Sequence, residues 1–138
     1  MPLMTWGPAL QVGYGDIDVQ HQRLVRLCNA LAEAQREGRG RELLGAILGE
    51  LARYTKLHFG FEERLMARYG LTDTDDHRRE HADLTARVID FQSRFDAGRS
   101  DVSEDLLLFL SDWLRVHILQ TDRELVGQLL ARGAVSAA

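Results

Sequence analysis

Residues 116–124 read VHILQTDRE, inside a segment, 103–131, whose apolar residues recur at helical spacing. Leu106, Leu110, Trp113 and His117 fall on one line, and Leu114, Ile118, Asp122, Leu125 and Leu129 on the next. Such stripes face a core and should be apolar. His117 and Asp122 break them, and they stand five residues apart. On an α-helix five residues sweep about 500°, which leaves two side chains roughly 140° apart. Partners three or four apart face each other, and this pair does not. Either the pair is an accident of a polar helix end, or both residues reach something too large to be met from one stripe.

Three earlier segments carry the same periodicity. About 18–36 has the stripe Ile17, His21, Leu24, Cys28, Leu31, and it stops in EGRGRE, where Gly38 and Gly40 break helices. About 41–69 has Leu44, Leu48, Leu51, Thr55, His58, Glu62, Leu65, Tyr69, followed by Gly70 as a left-handed stop. About 75–95 has His77, His81, Leu84, Val88, Phe91, Phe95, after the cap-rich connector LTDTDD. The loop DAGRSDV leads to Ser103 as a cap for the fourth segment. The two prolines, Pro2 and Pro8, leave everything after residue 8 free to be helical, and the alternation of strands is missing. Four helices joined by short loops predict an all-α, antiparallel up-down-up-down four-helix bundle. Residues 1–16 read as an irregular arm that Trp6 and Tyr14 dock onto it, and residues 132–138 as a fraying tail.

The 138 residues suit one domain, 1–138, with a sizeable core. A net charge of −4 and a pI near 5.7 give no electrostatic reason to expect nucleic acid. MPLMTWGPALQVGYG does not read as a signal peptide, and LLLFL at 106–110 is far too short to span a bilayer. The single cysteine, Cys28, excludes an intrachain disulfide and reads as a small buried hydrophobe. The expectation is a cytoplasmic protein, without membrane insertion, and a monomer.

The stripes are interrupted at His21, His58, Glu62, His77, His81, His117 and Asp122, a set that includes all five histidines. In an up-down-up-down bundle the start of helix one, the end of helix two, the start of helix three and the end of helix four share one end. All seven residues therefore fall toward the same half. Burying two carboxylates beside five imidazoles demands a compensating cation. His58–Glu62 and His77–His81 are four apart and project from one face each. Seven ligands exceed the four of a tetrahedral zinc. Two octahedral metals offer twelve positions; five nitrogens and two bridging carboxylates fill nine, and a bridging oxo or hydroxo two more, which leaves one open. Imidazole with carboxylate suits iron, among others.

The phrases IDVQH at 17–21, HFGFEERLM at 58–66, HRREH at 77–81 and WLRVHILQTD at 113–122 closely resemble the hemerythrin family, in particular its single-domain bacterial members. The resemblance runs from Trp6 to about Asp122. It implies two iron ions per chain with a bridging oxo or hydroxo group: His77, His81 and His117 on one iron, His21 and His58 on the other, Glu62 and Asp122 bridging. It also implies reversible O2 binding at the iron with two histidines, in a pocket lined by Phe59, Trp113, Leu114 and Ile118. Tyr14 after Gly13, and Thr121-Asp122-Arg123-Glu124 without an aromatic after the aspartate, depart from the common pattern. Asp18 is read as a cap of helix one, with a bond to a ligand histidine as the alternative.

The expected function is a non-enzymatic O2 carrier, store or buffer. Oxygen-activating di-iron bundles use more carboxylates and Glu-x-x-His motifs, which the stripes lack. Two other readings are a sensor of O2, nitric oxide or iron acting on a protein partner in trans, and an enzyme of nitric oxide or peroxide reduction or iron–sulfur repair. A protein partner receiving O2 or a signal fits the first two.

Overall fold

A computed structural model describes residues 5–72, 74–98 and 102–134, apart from the side chains of residues 40–42 and 103. The expected Ser103 cap, Asp73 of the connector, part of the loop before the fourth helix, the first four arm residues and the tail beyond 134 lie outside the described residues. The helices are α1 (Gly15–Arg36), α2 (Gly40–Arg68), α3 (Asp75–Asp96) and a fourth in three parts. That fourth helix runs as α4 (Val102–Val116), a π-helical segment (His117–Asp122) and α5 (Arg123–Ala131). α1 packs on α2 and α4, and α3 packs on α2 and α4, so the four rods enclose one interior. No strand occurs among the described residues, and no helix is long and apolar enough to cross a membrane.

Local chemistry sets the boundaries. α1 begins at Gly15 rather than near Asp18, with Tyr14 as its N-cap residue. Asp18 is not that cap: its Oδ1 accepts from the Val12 N–H at 2.8 Å and its Oδ2 from the Gly13 N–H at 3.2 Å. Gly13 sits at φ 89°, and this left-handed turn lets one carboxylate gather both donors of the arm. At the other end of the pattern, Gly70 at φ 62° stops α2. Its N–H reaches the Ala67 carbonyl while that of Leu71 reaches Met66, which satisfies carbonyls the helix end would leave bare.

The apolar stripes build two cores. The larger joins Leu24, Leu31, Leu44, Leu48, Leu84, Leu106, Leu110, Leu114 and Ile118, with Cys28 buried among them. The smaller joins Tyr14, Ile17, Leu65, Met66, Leu125, Val126 and Leu129. Each buried leucine adds about 1.5–3 kcal/mol relative to an exposed one. Trp6 packs on the larger core and Tyr14 enters the smaller, so the arm is docked at both. Arg123 closes it from the far end of the chain, donating to the Ala9 carbonyl at 2.7 Å and more weakly to Gln11. Between the two cores lies a layer of polar side chains.

Candidate metal centre

That layer holds all seven stripe-breaking residues. His21, His58, Glu62, His77, His81, His117 and Asp122 are each buried, with Glu62 and Asp122 fully so. α1 supplies His21, α2 supplies His58 and Glu62, α3 supplies His77 and His81, and the π-helical segment supplies His117 and Asp122. Wider i→i+5 winding brings residues five apart back toward one side. His117 Nε2 consequently lies 3.1 Å from Asp122 Oδ1, which a regular α-helix would prevent.

The donor atoms form two overlapping groups, each within a span of 4.8 Å. One contains His77, His81 and His117, the other His21 and His58, and both contain Glu62 and Asp122. Asp122 faces both: Oδ1 lies 3.1 Å from Nε2 of His77 and of His117, while Oδ2 lies 2.7 Å from Nε2 of His21. Glu62 Oε1 lies 3.0 Å from His81, 3.3 Å from His77 and 3.7 Å from His58.

Several of these contacts are short without being hydrogen bonds. Nε2 of His21, His58 and His117, Oε2 of Glu62 and both oxygens of Asp122 have no hydrogen-bond partner among the described residues. Buried polar atoms are almost always satisfied, so an orphan set this concentrated requires an occupant. Two ligands about 2–2.2 Å from one metal and at right angles to each other lie about 3 Å apart, as most of these donor atoms do. The donor set therefore fits bound cations.

The opposite edges of the imidazoles point the same way. His81 Nδ1 donates to Glu63 Oε2 at 3.0 Å, His117 Nδ1 to Glu80 Oε1 at 3.1 Å, and His58 Nδ1 to Gln20 Oε1 at 2.6 Å. An oxygen acceptor keeps the proton on Nδ1 and leaves the Nε2 lone pair for a metal. Glu63 is itself paired with Arg78 at 2.9 Å, and Glu80 accepts from the Thr121 hydroxyl at 2.8 and 2.9 Å. Sequence reasoning missed Gln20, Glu63, Glu80 and Thr121. Each follows or precedes a ligand on a half-exposed flank, where a polar residue violates no pattern. The hydroxyl of Thr121 anchors Glu80.

Without a cation the cluster is electrostatically strained. Burial, then the facing Asp122, holds the Glu62 carboxyl well above its ordinary range. Burial acts on Asp122 too, but the charge of His117 and the close approach of the His117, His21 and His77 ring nitrogens hold it well below. Burial lowers His58, with His21 adding to it, and lowers His81 to about 2 with help from His77 and His117. Burial also opposes a charge on His117, yet Asp122 and Glu80 raise it to about 9.

Aromatic and aliphatic side chains close the site. Phe59 stacks on His81 at 3.9 Å and 9°, and Trp113 on His117 at 4.3 Å and 14°. Leu114 and Ile118 are buried in the core that contains Phe59 and against which Trp113 packs. Between α2 and α3 a groove of about 760 Å³ reaches Phe59 and His81 past Ala52, Thr55, Ala82 and Ala86.

Fold and site together define a four-helix bundle built around a buried cation-binding cluster. The family model described as "Hemerythrin HHE cation binding domain" matches residues 12–129. A bacteriohemerythrin of Stenotrophomonas maltophilia is 37% identical over 131 residues, 95% of this chain and 84% of that protein. One of Methylococcus capsulatus is 35% identical over 124 residues, 89% of this chain and 94% of that protein. A crystal structure of wild-type hemerythrin aligns with a TM-score of 0.81 and 33% identity, covering 98% of this chain and 99% of that one. The chain belongs to the hemerythrin family.

Proposed function

We propose that the chain binds O2 reversibly at a pair of irons and serves as a carrier, store or buffer rather than as a catalyst. The observation that carries this reading is the division of seven buried ligands into two groups sharing both carboxylates. His77, His81 and His117 would hold one iron, His21 and His58 the other, with Glu62 and Asp122 spanning them and an oxo or hydroxo group completing the bridge. When bound, the pair supplies reversible two-electron redox chemistry toward O2. Five neutral nitrogen donors against two carboxylates favour the reduced pair more than a carboxylate-rich set does, which suits release as well as uptake.

The chain's own contribution is to fix the ligands and to keep water out. Phe59 and Trp113 cover the faces of His81 and His117. With Leu114 and Ile118 they make an apolar surround that would admit O2 and keep water and its protons from the site. The bundle shields both irons from a second protein, as a carrier requires.

Anaerobically reduced, iron-loaded protein is expected to gain a visible charge-transfer band on adding O2 and to lose it when O2 is removed. Wild type should hold two irons, and His58→Ala fewer than two with no reversible band. Prompt irreversible oxidation without that band, or steady turnover of peroxide or nitric oxide abolished by His58→Ala, would count against a carrier.

A further inference from the structure

The two ligand groups share Glu62 and Asp122, so those carboxylates cannot distinguish them. Three imidazoles stand in one group against two in the other, and the shell behind the rings differs as well. In the group of His77, His81 and His117, two of three rings are backed by carboxylates: Glu63 behind His81 and Glu80 behind His117. In the other group His58 is backed by the neutral amide of Gln20. Nδ1 of His21 is buried with no hydrogen-bond partner among the described residues. A carboxylate fixes the ring's tautomer and orientation before metal arrives, raises the basicity of Nε2 and adds negative charge beside the cation. An amide orients without adding charge.

We propose that Glu63 and Glu80 are positioning residues that widen the inequality set by three imidazoles against two, so that the His77–His81–His117 position fills first and holds its ion more tightly. This rests on the two-metal reading above. Arg78 tempers Glu63 by pairing with it at 2.9 Å. Among the described residues no arginine or lysine pairs with Glu80; both of its oxygens lie within reach of the neutral Thr121 hydroxyl. Glu80 is therefore the stronger of the two. Both carboxylates are partly exposed, at 32% and 36%, so neither bears the cost of full burial.

The test is a titration of metal-free, full-length protein with Co²⁺ alone, followed by calorimetry and by the visible bands of the bound ion. Wild type is expected to take two equivalents in two resolved steps. Glu63→Gln and Glu80→Gln should weaken the first step by about 10–100-fold, Glu80→Gln the more, with the second step left in place. Gln20→Glu should strengthen the second step and change the spectrum of the second ion only. Thr121→Val keeps Glu80 but frees it, and should weaken the first step less than Glu80→Gln; it carries the test if Glu80→Gln does not fold. Melting of the metal-free variants separates a loss of fold from a loss of positioning. Two equivalents with both steps weakened alike, or neither, would overturn the proposal alone. A single equivalent in wild type would overturn the two-metal reading and this proposal with it.

Discussion

The seven residues of the polar layer were legible because each is polar at a position whose periodicity demands an apolar one. Their neighbours were not. Glu63 and Glu80 lie one residue off the stripe, where charge is ordinary, and only the packing of α3 on α2 and on the π-helical segment shows which imidazole each faces. Asp18 was legible as a capping type but not in its target, because its donors come from the arm ahead of the helix. Cys28 behaves as its stripe position implies: burial pushes its thiol from 9.0 to about 11. A group raised in the folded chain stabilises it fully below the unfolded value and loses that contribution as pH climbs through the folded one. Stability should accordingly decline from pH 9 to about 11, with buried Tyr14 and half-buried Tyr54, also raised by burial, adding to the slope. Thermal melts across that range should show a shallower decline in Cys28→Ala. A native thiol that reacts with an aromatic disulfide reagent at pH 7 as fast as the unfolded one would contradict this account.

Helix types and approximate ends could be read from periodicity and glycine, since a 3.6-residue stripe and a left-handed stop are local signals. The winding of 117–122 could not be fixed so directly. The five-residue gap demanded some departure from a single stripe, but whether two adjacent stripes or a π-turn supplied it depended on packing. The structure has the π-turn, and it brings His117 and Asp122 into contact. Deleting Leu119, which is 36% exposed, removes the extra residue and lets the segment return to α winding. Helical content by circular dichroism should persist, while metal capacity falls below two ions per chain. Full capacity in the deletion variant would show that the π-turn is dispensable.

For the whole molecule the polar layer is a stability cost that a cation offsets. A ligand at 100 times its dissociation constant adds about 2.7 kcal/mol to the folded state. Metal-free protein should melt well below the loaded form, and chelation should reverse the gain. Burying a polar atom without a hydrogen-bond partner costs about 1–3 kcal/mol, and Oε2 of Glu62 is such an atom. Glu62→Leu is therefore expected to raise the melting temperature of the metal-free chain while reducing its metal content. If that variant is destabilised as much as an ordinary core truncation, the layer is not strained in the way described.

The arm carries a consequence for how the chain is made. The bond from Arg123 to the Ala9 carbonyl spans 114 residues of sequence. An emerging polypeptide can wind α1, α2 and α3 from local contacts, yet its first segment lacks the Arg123 clamp until the π-helical segment and the start of α5 have left the ribosome. Asp122, which faces His21, arrives at the same moment. Closure of the arm and completion of the ligand set are thus late and simultaneous events in biosynthesis, and a stalled chain lacks both.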